Sequence, residues 1–265
     1  MEQLRQLLSS LLGLCDGLTN PYIGARMANT LTFAALLIPA LIIAIVCHEV
    51  AHGWVALALG DSTAFDRGRL TLNPIRHVDP VGTLLVPGFL ALVGGPIFGW
   101  AKPVPVVRGR LNNPRYGMML VAAAGPLTNL LLALIGAVLF GLSAPDGAML
   151  MASDTGLPQV STQDGAIALI PSALFFFILI NVFLAFFNLL PIPPFDGSHI
   201  VEGLLPRSWA VYWNKLQQVG MILFVVLIAV VWVFPDTGII SNTIGPPVEW
   251  MLGLFLDLAS WVSGS

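Results

Sequence analysis

Two histidines and a glutamate form the motif His48-Glu49-Val50-Ala51-His52. In a helix, residues i and i+4 lie on one face about one turn apart, so both imidazoles could bind a single ion. Zn²⁺ binds imidazole nitrogen readily, and the adjacent carboxylate could act as a base on water. The motif predicts a zinc hydrolase. The alternative is a set of polar side chains that only form hydrogen bonds within a helix bundle.

This motif interrupts a long apolar segment. Residues 27–47 and 53–60 contain no Asp, Glu, Lys, Arg or His. A membrane-spanning helix needs about 20 apolar residues, and a charged carboxylate at its centre costs at least ~2.5 kcal/mol. Polar groups at this depth need partners or a polar cavity, so the predicted active site lies inside the bilayer.

The composition is that of a polytopic membrane protein. Hydrophobic residues make up 57% of the 265 residues and charged residues 9%, against about 25% charged in ordinary soluble domains. We therefore predict an all-α polytopic fold with membrane lipid around it. The net charge of −3 does not favour nucleic acid as a partner, and the two cysteines provide no disulfide framework.

Hydropathy divides the chain into about 4–6 membrane segments. The firm spans are predicted at about 31–59, 116–142, 168–190 and 216–234, and residues 81–101 and 239–262 are less certain. The stretch near 81–106 is rich in Gly and Pro and is predicted to be a re-entrant or strand-like element. The predicted divisions are an amphipathic interfacial segment (1–26), the enzyme core (27–235) and a C-terminal apolar segment, spanning or interfacial (236–265).

The distribution of Lys and Arg predicts the orientation. Basic residues flank segment 81–101 on both sides, whereas loop 146–164 contains three Asp and no Lys or Arg. Because cytoplasmic loops carry the excess of Lys and Arg, loop 146–164 should be extracytoplasmic. The histidine motif then faces the cytoplasmic half of the membrane. His77, which follows Arg76 in a basic loop, is predicted to be solvated.

Catalytic zinc usually has three protein ligands and one open position, so a third ligand is expected. Asp196 ends a stretch without charge that begins at Gly165, and it follows three prolines within Pro191–Pro194. Proline cannot continue a helix, so Asp196 opens a new short segment, where the helix dipole favours an ionised carboxylate. An N-terminal helix cap at the membrane edge is the alternative role for Asp196.

Several motifs in order resemble the site-2 protease family of intramembrane zinc metalloproteases. They are the intramembrane H-E-x-x-H, Gly125-Pro126-Leu127-Thr128-Asn129, and Asn188 followed by Phe195-Asp196-Gly197. The stretches Gly68–Pro74 and Phe98–Val106 further resemble compact prokaryotic members without PDZ or CBS domains. Phe195 stands where the family usually has Leu.

The resemblance implies roles for particular residues. His48, His52 and Asp196 would bind one Zn²⁺ per chain, and Glu49 would activate water. Asn129 and Asn188 would polarise the scissile carbonyl or hold the substrate. The implied substrates are single-span membrane proteins, and segment 98–106 would clamp the unwound substrate. The implied location is a prokaryotic cytoplasmic or inner membrane.

Two other functions use the same residues differently. A metal-binding transporter could pass ions through a His/His/Asp site but has no need of a base next to the first ligand. A non-proteolytic scaffold would need no complete catalytic set. His199, where the family often has Arg, could be a partner of the metal site or an interfacial polar residue.

Overall fold

The computed structural model describes residues 21–92, 99–145, 147, 149–152, 158–162, 164, 166–234 and 238–264, and these are mainly helical. The predicted interfacial segment 1–26 lies outside the described residues up to position 20. The longer helices are α1 (Pro21–Ala58), α4 (Pro114–Ser143), α5 (Leu169–Asn188), α7 (Arg207–Gln218), α8 (Gly220–Val233) and α9 (Ile239–Ser263). The shorter helices are α2 (Thr63–Asp66), α3 (Val86–Leu92) and α6 (Asp196–Leu204). Strands β1 (Met149–Ala152) and β2 (Pro158–Ser161) form a small antiparallel hairpin.

Three helices of the described part are long and apolar enough to cross a membrane: Leu31–Ala58, Pro114–Ser143 and Leu169–Asn188. They coincide with the first three predicted spans and confirm the all-α polytopic class. A fourth span is formed only if α7 and α8 are counted together, and these helices meet at a bend of 62°. Gly220 at the bend lies against Pro193, with no room for a side chain. The predicted span at 216–234 therefore begins at the end of α7 and continues, after the bend, as the apolar helix α8.

The turn at residues 79–85 is irregular because the Asp79 side chain binds the backbone of the same turn. Asp79 accepts hydrogen bonds from the N–H groups of Val81 and Gly82, and Pro80 occupies the first turn. These contacts start a π-helical turn, Pro80–Leu85, that continues into α3. The part of the predicted re-entrant element before residue 93 is thus helical. Residues 99–107 form neither helix nor strand, and from Val107, whose backbone is extended, they lead into a 3₁₀ turn at Arg108–Arg110.

Helix α4 is the centre of the helix bundle and packs against α1, α5, α6 and α9. Small residues bring these helices close together: Ala133 and Ala137 of α4 contact the cluster around Ile178 and Val182 of α5. Ile244 and Val248 of α9 belong to the same cluster, so the C-terminal helix is packed on the bundle.

Candidate metal centre and active site

The histidine motif lies in the last third of α1, and its side chains turn toward the bundle. His48 and His52 are 6% and 9% exposed, and their ring centroids are 4.6 Å apart. This geometry is the one expected for side chains at i and i+4 on a helix. The structure therefore brings both imidazoles to one buried point.

Asp196, the first residue of α6, reaches the same point. Its Oδ2 lies 3.1 Å from His48 Nε2 and 3.4 Å from His52 Nε2. The three residues could hold a metal ion, since one ligand atom from each lies within 4.8 Å of the others. Asp196 Oδ2 is buried and makes no hydrogen bond with any of the described residues. A carboxylate oxygen in that condition fits a metal ligand better than a helix cap.

The other ring nitrogen of each histidine determines which atom can face a metal. His48 Nδ1 lies 2.6 Å from Asn129 Oδ1, and His52 Nδ1 lies 2.7 Å from the backbone oxygen of Val121. Both partners are acceptors, so each Nδ1 carries a proton, and in the neutral ring each Nε2 then has a lone pair for a metal. Two imidazole nitrogens and one carboxylate are a donor set that suits Zn²⁺.

Asn129 is completely buried, and its amide orientation follows from its neighbours. Its Nδ2 donates to the backbone oxygen of Ala44 at 3.2 Å and to Asn181 Oδ1 at 2.9 Å. Asn181 presents oxygen there because its own Nδ2 donates to the backbone oxygen of Phe177. The carbonyl of Asn129 is left to face His48. Asn129 therefore contacts Nδ1 of His48, the ring nitrogen opposite the one that faces Asp196.

Gly125 provides the space that the two imidazoles occupy. A Cβ at this position would lie 2.5 Å from Cε1 of His48 and 2.6 Å from Cε1 of His52. Real contacts of that length do not occur, so only glycine lets α4 pass this close to the rings.

Glu49 is half-buried beside the histidines, and its hydrogen-bond partner comes from segment 99–107. Its Oε2 accepts a hydrogen bond from the backbone N–H of Val104 at 2.8 Å. Buried Arg69 donates from Nη2 to the backbone oxygen of Lys102 at 2.7 Å. Segment 99–107 is thus held directly against Glu49. Sequence spacing could not reveal this contact, because the two residues are far apart in the chain.

A second carboxylate, Asp61 just after α1, holds the same segment. It is fully buried and accepts from the Val107 backbone N–H and from the Thr63 hydroxyl. Burial raises the pKa of Asp61, but these donors, the Thr63 N–H and the Arg110 charge outweigh burial, so the pKa lies below its ordinary value. Asp61 therefore remains ionised and ties segment 99–107 to the end of α1.

The remaining predicted residues form hydrogen bonds with groups other than the three ligand atoms. Asn188 Nδ2 donates to the backbone oxygen of Leu184 within its own helix. His199 Nδ1 lies 3.2 Å from Gln217 Nε2, and burial lowers the pKa of His199 despite the opposing charges of Glu202 and Asp196. The prediction that His77 is solvated is wrong: it is 2% exposed, with Nε2 2.9 Å from the backbone oxygen of Thr71.

An apolar helix bundle that holds two histidines, an aspartate and an adjacent glutamate defines a membrane metalloenzyme. The sequence matches Peptidase family M50 over residues 36–231. It is 42% identical over 198 residues to "Putative zinc metalloprotease YwhC" of Bacillus subtilis (strain 168), covering 74% of this chain and 81% of the relative. It is 27% identical over 217 residues to "Putative zinc metalloprotease Rip2" of Mycolicibacterium smegmatis, covering 78% and 75%.

Among solved structures, the "Site-2 Protease from Methanocaldococcus jannaschii" aligns with a TM-score of 0.40 and 18% identity, over 91% of this chain and 83% of that chain. A likeness at this level does not define the fold. The sequence matches do define the family: the chain belongs to Peptidase family M50, the site-2 protease family. It is a multi-pass membrane zinc metalloprotease, and neither the transporter nor the scaffold interpretation gains support.

Proposed function

We propose that His48, His52 and Asp196 bind one Zn²⁺ per chain and that Glu49 is the general base for hydrolysis of peptide bonds within transmembrane segments. The observation that carries this assignment is the buried Oδ2 of Asp196, which makes no hydrogen bond yet lies within 3.4 Å of two imidazole nitrogens. Zinc, when bound, supplies a Lewis acid that lowers the pKa of a coordinated water.

Glu49 is placed to move the protons of this reaction. Its carboxylate adjoins the first histidine in the chain, and one oxygen, Oε2, is oriented by the Val104 N–H. The other oxygen can take a proton from the attacking water and return it to the amine nitrogen that leaves. The buried surroundings limit competing water, which strengthens these electrostatic interactions.

Asn129 is proposed to be a positioning residue, because both of its amide N–H groups are used by Ala44 and Asn181. Asn129→Ala would remove the acceptor that keeps the proton on His48 Nδ1. We expect about 10–100-fold weaker zinc binding, as for other partners of metal ligands. Zinc competition with a chelator measures this loss. The control is Asn242→Ala at an exposed site of α9, and unchanged zinc affinity in Asn129→Ala would contradict the proposed role.

Asn188 is the proposed residue that contacts the substrate. Its side chain is only half-buried, and among the described residues its one hydrogen bond goes to the preceding turn of α5, so it can rotate toward a bound peptide. It lies at the end of α5, eight residues before Asp196.

Segment 99–107 is proposed to pair with an unwound substrate strand. A helical peptide bond is shielded and fully hydrogen-bonded, so the substrate must adopt an extended form before hydrolysis. Segment 99–107 is free of helix and touches the proposed general base, and pairing of an extended peptide with exposed backbone is a common mode of peptide recognition. The proposed substrates are therefore single-span membrane proteins with a helix that can unwind.

The orientation is proposed from the charges near the site. His52 lies six residues before the end of α1, and the loop that follows contains Arg67, Arg69 and Arg76. Because loops with an excess of Arg lie in the cytoplasm, the site would face the cytoplasmic half of a prokaryotic cytoplasmic membrane.

Cleavage of labelled single-span proteins by purified enzyme in lipid vesicles tests this function. We expect cleavage that a chelator abolishes and Zn²⁺ restores, with product released on the cytoplasmic side of oriented vesicles. A Val106→Pro arm tests the strand, because proline removes a backbone N–H from segment 99–107. Cleavage that survives complete zinc removal would contradict the metalloprotease assignment. Normal turnover by Val106→Pro would contradict substrate pairing.

A further inference from the structure

Glu202 is a buried carboxylate near the C-terminal end of α6 that the proposed chemistry does not use. Its side chain is 2% exposed, and Oε1 pairs with Nη2 of Arg108. Within the described part of the chain, its Oε2 is buried without a hydrogen bond, and His199 Nδ1 lies 3.7 Å away. A buried acid with a single arginine partner is costly to leave unpaired. This pair therefore restrains the two elements that it joins.

One of those elements is α6, which also carries Asp196 at its first residue. Glu202 is six residues further on, about 9 Å along the helix axis at about 1.5 Å per residue. With nine residues in all, α6 is short enough to move as a rigid unit. A shift at Glu202 would therefore be felt at the Asp196 carboxylate.

The other element is segment 99–110, which ends in the 3₁₀ turn at Arg108–Arg110. This segment is fastened to α1 by two carboxylates, through the Val104 N–H to Glu49 and the Val107 N–H to Asp61. Arg108 follows Val107 directly. The Arg108–Glu202 pair thus links α6 to segment 99–110, which is itself bound beside His48 and His52 on α1.

Helix α6 has other contacts, and these come from different directions. The guanidinium of Arg115 on α4 donates to the backbone oxygens of Glu202 and Gly203. From α7, Trp213 Nε1 donates to the backbone oxygen of Ser198 at 2.8 Å. These contacts hold α6 on α4 and α7. In the described structure, Arg108 is the side chain that links α6 to the segment held by α1.

We propose that the Arg108–Glu202 ion pair is a positioning device that sets the distance of Asp196 from His48 and His52. The proposal rests on the function proposed above, in which Asp196 is the third zinc ligand. Zinc coordination demands particular ligand distances, so a small displacement of α6 weakens binding of the metal. Arg108 and Glu202 act through α6 and touch neither the ligand atoms nor the substrate.

The test compares Arg108→Gln with Arg67→Gln. Arg67 is exposed just after α2, which makes it the control for the loss of one guanidinium. We expect zinc affinity, measured by chelator competition on the protein, to fall about tenfold in Arg108→Gln. We also expect the visible absorption bands of the Co²⁺-substituted protein to change, since these bands report coordination geometry. Arg67→Gln should match the wild type in both measurements.

Glu202→Gln is a second variant that keeps the side-chain shape, and it should weaken zinc binding in the same direction. Wild-type zinc affinity and Co²⁺ bands in folded Arg108→Gln or Glu202→Gln would overturn the proposal, as would an equal loss in Arg67→Gln. Asp196→Asn distinguishes failure of the proposed zinc ligand from failure of the proposed positioning role. If it binds zinc normally, the ligand assignment itself fails. If it loses zinc while the Arg108 and Glu202 variants keep it, only the positioning role fails.

Discussion

Glu49→Gln should lower peptide cleavage by about 10²–10⁴-fold while zinc stays bound at one ion per chain. Glutamine has nearly the shape of glutamate, and its amide oxygen can still accept the hydrogen bond from the Val104 N–H. The variant therefore keeps the contact with segment 99–107 and loses only the ability to take a proton. Zinc analysis and initial rates on one labelled single-span substrate provide the two measurements.

Glu249→Gln is the matched control for this experiment. Glu249 is exposed on α9, and the same change there should leave both the rate and the zinc content unaltered. Cleavage by Glu49→Gln at the wild-type rate would show that another group takes the proton. Loss of zinc together with activity would show that Glu49 is part of the metal site rather than the base.

Asp196→Asn is expected to weaken zinc binding more than about 100-fold, since partners that lie behind metal ligands already account for 10–100-fold. The substitution keeps the volume of the side chain but removes the charge that a zinc-binding oxygen requires. The new amide nitrogen could donate to the imidazole nitrogens that now face Oδ2 at 3.1 and 3.4 Å. The protein should therefore remain folded without its metal.

Chelator competition gives the zinc affinity, and thermal unfolding in detergent checks that Asp196→Asn is folded. Asp257→Asn, at an exposed position of α9, should bind zinc as the wild type does. Retention of wild-type zinc affinity by Asp196→Asn would show that the third ligand lies elsewhere. Excess zinc should restore part of the cleavage in Asp196→Asn, because two of the three ligands remain.

The first three membrane helices could be read from the chain because a span is a local property. About 20 consecutive apolar residues make a helix in lipid whatever surrounds it. The bend between α7 and α8 is different, because it depends on Gly220 meeting Pro193 from another part of the chain. The predicted span at 216–234 therefore begins in α7 and continues, after the bend, in α8.

The same distinction separates the candidate site residues. His48, Glu49 and His52 are neighbours on one helical turn, so their spacing alone predicts a shared ligand position. Asp196 could be predicted from the sequence, because catalytic zinc needs a third ligand and the apolar segments contain few charged residues. The contact between Asn129 and His48 could not be predicted, since the orientation of the Asn129 amide depends on Ala44 and Asn181 from two other helices.

By itself, the sequence determined the membrane class and the spacing of the two histidines in the H-E-x-x-H motif, which follow from local composition and helical period. The tertiary structure alone decided that Val104 orients Glu49, that Gly125 makes room for the imidazoles and that Arg108 meets Glu202. Each of these contacts joins residues distant in the chain. Their geometry is set by how helices and extended segments pack, and no periodic pattern in the sequence encodes it.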